Sequence, residues 1–226
     1  MKNMRSLLII AFLVGAPLIS YGQGAVNFSA GALPATRIWT NSSPGGPSTG
    51  FISGAGNYFF ALFVAPTSTG TNYSLSSSLD PTLHGFTFFG AYGTNTATEG
   101  RFNGNPSTDQ VSVPGVPPGN LLNFVVVGWS ANIAGPNFGS FLAWWNNGNP
   151  QDAYPGLIGW AGHSVVAENV LIGGGVIPYG QIFGLQPGQA PGFGLLYTPV
   201  PEPSALALTS LALAAVLLDR FTRRCR

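Results

Sequence analysis

Between Gln23 and Val200 the chain has two histidines, His84 and His163, and five carboxylates, Asp80, Glu99, Asp109, Asp152 and Glu168. Only His163, Ser164 and Glu168 lie close enough in sequence to suggest a nucleophile, a base and a group to orient it. Read as a strand, however, that segment turns His163 and Ser164 to opposite faces, which separates base from nucleophile. The chain contains no Gly-x-Gly-x-x-Gly fingerprint and no His-Glu-x-x-His pair. Gly173-Gly174-Gly175 lacks the Lys and Ser/Thr of a phosphate loop and reads as a turn. No Asp-x-Asp spacing occurs, so a calcium ion would need Asp80, Asp109 and Asp152 gathered from separate turns. The residues therefore predict a protein that is not an enzyme and carries no cofactor and no metal. A hydrolase acting on exopolysaccharide would need two carboxylates facing one cleft, for example Asp152 and Glu168.

The side chains best suited to a ligand are aromatic. Trp144 and Trp145 are adjacent, and Asn146, Asn147 and Asn149 follow. On a strand one of the two indoles must face away from the core, giving an apolar plate flanked by amide donors and acceptors. Such a plate suits a sugar ring and its hydroxyls. Trp39 and Trp160 could add to it, whereas Trp129, inside an apolar run, reads as core.

The elements that would position these residues are short apolar runs bounded by Gly, Pro or Asn, the pattern of strands and turns. They fall at Ala25–Phe28, Thr36–Thr40, Tyr58–Ala65, Phe86–Tyr92, Gln110–Val113, Leu121–Trp129, Ser140–Trp145, Leu157–Ala161, Ser164–Ala167, Gly180–Phe183 and Gly194–Thr198. Tyr58–Val64 and Leu122–Trp129 are almost unbroken apolar runs and predict central strands buried on both faces. Asn41–Gly56 and Thr94–Thr108 read as polar surface loops, and no stretch offers a clear helical period. About ten short strands predict an all-β domain, an antiparallel β-sandwich of jelly-roll type.

Composition agrees. The chain has 32 Gly and 19 Pro, enough to suggest loops, yet 12% of it is aromatic, too much for a disordered linker. Six of the eight basic residues lie at the two ends, leaving Arg37 and Arg101 against five acidic residues in the middle. That section carries a net charge of about −3 and offers no footprint for nucleic acid. It contains no cysteine, so its stability owes nothing to disulfides; Cys225 stands alone near the end.

The ends are signals. Lys2 and Arg5 precede an apolar stretch from Leu7 to Ile19, and Ser20 and Gly22 occupy the −3 and −1 positions of a cut before Gln23, the layout of a secretory signal peptide over residues 1–22. At the other end Pro201-Glu202-Pro203 leads into an apolar run from Ser204 to Leu218, then into a basic stop made by Arg220, Arg223, Arg224 and Arg226. Fifteen residues of helix span about 22 Å, a marginal membrane anchor that snorkelling arginines extend. Basic clusters at both ends place those ends in the cytoplasm and the domain of residues 23–200 across the membrane.

The 201–226 segment resembles the PEP-CTERM sorting signal of exported proteins in Gram-negative bacteria, and Val200-Pro201-Glu202-Pro203-Ser204 carries most of that likeness. The resemblance implies an exosortase-like processing enzyme as partner, cleavage near Pro201–Pro203, and a polysaccharide-rich envelope or matrix as destination. The chain is thus expected to be an inner-membrane-anchored precursor and then a cell-surface or extracellular protein, structural or adhesive in role. A carbohydrate-binding module using Trp144, Trp145, Asn146 and Asn147, with exopolysaccharide as partner, is the second expectation.

Overall fold

The computed structural model describes residues 22–41, 48–68, 73, 79–105, 107–146 and 159–198. Residues 1–21 of the expected signal peptide, the sorting motif Pro201, Glu202 and Pro203, the expected apolar helix of residues 204–218 and the basic stop Arg220, Arg223, Arg224 and Arg226 lie outside those residues, as does Asn147. No described helix is long and apolar enough to cross a membrane.

The domain is built on strands. Tyr58–Pro66 (β5) and Leu121–Ser130 (β9) pair antiparallel along their whole length, from Tyr58 opposite Ser130 to Pro66 opposite Leu122. Their side chains alternate between two apolar clusters. Phe60, Leu62, Phe124 and Val126 enter one, while Ala61, Phe63, Val125, Val127 and Trp129 enter the other. Burial on both faces is what an unbroken apolar run requires, and it places these strands at the centre of the larger sheet.

Thirteen strands are described, in two sheets. The remaining ones are Ala25–Asn27 (β1), Ser29–Ala30 (β2), Trp39–Asn41 (β3), Ser48–Phe51 (β4), Thr87–Asn95 (β6), Phe102–Asn103 (β7), Gln110–Ser112 (β8), Gly159–His163 (β10), Ala167–Leu171 (β11), Gly180–Gln181 (β12) and Gly194–Thr198 (β13). The large sheet runs β2-β7-β6-β5-β9-β10-β13-β3-β4, with β11 also paired to β9, and the small sheet runs β12-β1-β8. The chain passes from one sheet to the other at Phe28, between β1 and β2. The first cluster lies between the sheets, where Val26, Phe28 and Ile182 meet Phe60, Leu62 and Phe124. Phe102 stacks on Phe60 at 4.0 Å and meets Phe28 edge-on at 5.1 Å. Pairing is not uniformly antiparallel, as the sequence reading expected: β1 with β12 and β13 with β3 are parallel.

The second face of the large sheet carries a helix instead of another strand. Residues Phe138–Asn146 form α1, where sequence reasoning placed a strand over Ser140–Trp145. Asn137 starts it by accepting the Ser140 N–H on Oδ1 at 3.1 Å, and its carbonyl accepts the Phe141 N–H. Phe138, Phe141 and Trp144 are then buried against the sheet. Two strands also fall inside stretches expected to be loops, β4 within Asn41–Gly56 and β7 within Thr94–Thr108.

Candidate functional site

The helix decides where the two tryptophans point. Consecutive residues on a helix are about 100° apart, not on opposite faces. Phe141 stacks on Trp129 at 4.9 Å with 14° between the rings, and Trp144 follows on Phe141 at 6.3 Å. Trp144 keeps only 8% of its surface exposed and is a core residue. Trp145 is half-buried at 6.4 Å from Trp144, and Asn146 is exposed beside it. Any ligand plate on this helix is therefore Trp145 with Asn146.

Imidazoles gather on the same side of the large sheet. His163 ends β10, opposite Val127 of β9, and is 5% exposed. Its Nδ1 lies 2.8 Å from the Ser164 carbonyl, which can only accept, so Nδ1 carries the proton. The Tyr73 ring covers His163 at 4.4 Å and meets His84 at 5.1 Å and Phe86 at 5.8 Å. Burial pushes the Tyr73 hydroxyl well above the usual tyrosine range, and the negative charge of Asp80 pushes it further. Asp80 caps the 3-10 turn Pro81–His84, accepting from the Thr82 N–H at 3.0 Å and the Thr82 hydroxyl at 2.6 Å. The corner thus holds a neutral phenol between two imidazoles. Nothing in the sequence announces it, because residues 73, 84 and 163 come together only through the tertiary fold.

The local trio around His163 does not assemble as a nucleophile and base. The Ser164 hydroxyl accepts from the Val126 N–H at 3.0 Å, and the imidazole bonds the Ser164 carbonyl. Ser164 is fully buried and serves as a side-chain bridge between the end of β10 and β9. Glu168 is exposed, and its backbone N–H donates to Gly188 at 2.6 Å.

The remaining candidates are dispersed. Trp39 lies across Gly194 of the neighbouring strand, where an added Cβ would come within 2.7 Å of the indole nitrogen. Trp160 is half-buried against the cluster between the sheets. Asp109, at a φ of 56°, pairs with Arg101 at 3.1 Å. Asp152 lies outside the described residues. No three His, Cys, Asp or Glu side chains gather into a metal-holding group among the described residues.

No protein-family model, no curated protein and no solved structure matches this chain.

Proposed function

We propose that this chain is an exported protein of the cell surface or extracellular matrix, structural or adhesive rather than catalytic, delivered by its tail to an exosortase-like processing enzyme. The observation that carries the reading is the order of the tail: Pro201-Glu202-Pro203, an apolar run to Leu218, and Arg220, Arg223, Arg224 and Arg226. The fold supplies support. Strand β13 ends at Thr198, so the motif begins three residues after a strand paired on both sides, by β10 and β3. A tail hung so directly from the sheet transmits a tether to the domain without a separate linker domain. We read the domain itself as a jelly-roll-like β-sandwich, supported by the apolar cluster lined from both sheets.

Removal of residues 201–226 in the native host tests the sorting role. Release of the truncated protein from the cell surface, with export intact, is the expected result. Surface retention equal to that of the full chain would contradict the reading.

A second reading, glycan binding on the helix, is favoured by one observation: Trp145 is half-buried and adjoins the exposed Asn146. It predicts that Trp145→Ala abolishes retention on a glycan array.

A further inference from the structure

We propose that a groove lined by Ser29 of β2 and Gln181 of β12, remote in sequence from the tail and from α1, is a binding site for a neutral glycan. The groove has a volume of about 380 Å³, within the size range of small-ligand sites. One wall is the turn at Leu33–Thr36, and the other is the loop from Phe183 to Ala190.

The chemistry of the lining points to the ligand class. Leu33 and Leu185 are 46% and 65% exposed and offer apolar surface at the rim. Gln181 and Gln186 are also exposed, and neither carboxamide hydrogen-bonds another of the described residues. Among the described residues only the oxygen of the Gln189 carboxamide is used, and its nitrogen makes no bond. A carboxamide brings two donors and an acceptor oxygen, the complement of hydroxyl groups that both give and take hydrogen bonds. No lining side chain among the described residues is charged. A phosphate, sulfate or uronate would find no cation among the described lining residues, and Glu168, whose backbone bonds the loop, adds a carboxylate to the neighbourhood. An extended peptide would be read by a ladder of backbone groups. Three separate side-chain amides between apolar rims suit instead the scattered hydroxyls and C–H faces of a sugar.

Both walls are fixed in advance. Gln186-Pro187-Gly188-Gln189 forms a turn with Pro second and Gly third, Gly188 having a φ of +85°, the pattern of a type II turn. The Gln189 N–H donates to the Gln186 carbonyl at 3.0 Å. Its side-chain oxygen accepts the Gln186 N–H at 2.9 Å, which folds the carboxamide back over Gly184. A Cβ at Gly184 would overlap that carboxamide. The loop is clamped at its base by the Gly184 N–H to Ala190 carbonyl bond of 3.0 Å. On the opposite wall the Thr36 hydroxyl donates to the Leu33 carbonyl at 2.9 Å and accepts the Gly31 N–H at 3.2 Å. A site held this way loses little freedom when it binds.

The test is an array of neutral oligosaccharides (glucose, mannose, galactose and N-acetylglucosamine series) with uronate counterparts, probed with the full chain in detergent. Retention on a neutral series is expected, weakened about tenfold or more in Gln181→Ala/Gln186→Ala through the loss of those hydrogen bonds. Both positions are exposed, so the melting temperature of the double variant should stay unchanged. No retention of any neutral glycan, preference for the uronates, or retention indifferent to the double substitution would overturn the proposal. Loss in Trp145→Ala with full retention in the double variant would also overturn it, and would assign glycan binding to the helix. The sorting reading stands or falls separately, on the tail.

Discussion

Tyr73 shows how one side chain ties stability to pH. Folded, it ionises only well above the usual tyrosine range, because it is buried and Asp80 stands beside it. The unfolded chain releases the same proton near pH 10. A raised folded value means that the Tyr73 contribution is complete below about pH 10 and is lost as the pH climbs towards the folded value. Thermal unfolding followed from pH 8 to pH 12 should therefore show a falling melting temperature above about pH 10, and Tyr73→Phe should flatten that fall. Burial also raises Tyr58, which leaves a residual slope. An alkaline limb identical in the variant and the parent would show that Tyr73 is not the titrating group.

At the scale of elements, α1 is held to the sheet by aromatic stacking, and Phe141 is its central contact. Phe141 is fully buried, stacked on Trp129 and in ring contact with Phe138 and Trp144. Phe141→Ala should cost about 3–5 kcal/mol in urea unfolding and change the fluorescence of Trp129, whose ring it covers. A cost below about 1 kcal/mol would mean that the helix contributes little to the core. Strands that cross the core were legible in the sequence. The apolar runs of β5 and β9 leave no polar face, and Gly194–Thr198 was bounded correctly because Gly and Pro punctuate it. The helix was missed, because the sequence reading placed a strand over Ser140–Trp145. Phe138, Phe141, Leu142 and Trp145 recur at i, i+3, i+4 and i+7 behind a capping Asn137, but their aromatic bulk and Gly139 resemble a strand. Strand β4, Ser-Thr-Gly-Phe, has almost no apolar pattern and exists because β3 offers it an edge. Of the candidate sites, Trp145 and Asn146 were named from the sequence. The glutamine groove and the Tyr73–His163 contact were not, since each joins residues far apart in the chain.

At the scale of the molecule, the proposed sorting tail limits how far the charge-poor domain can stand from a membrane. Residues 199–203 separate the end of β13 from the apolar run, a contour of at most about 18 Å. If the tail anchors the chain as proposed, the sheet would sit close against the membrane surface, and a processing enzyme cutting near Pro201–Pro203 would have to work in that gap. Residues 23–200 have Arg37 and Arg101 as their only arginines, a composition that favours uncharged partners over anionic ones. The most direct test of the central claim is intact-mass and C-terminal peptide mass spectrometry of the protein recovered from its own cells. The account predicts a mature C-terminus between Val200 and Pro203, with residues 204–226 absent. Recovery of a chain ending at Arg226 in the inner-membrane fraction would contradict it and leave a tail-anchored periplasmic protein.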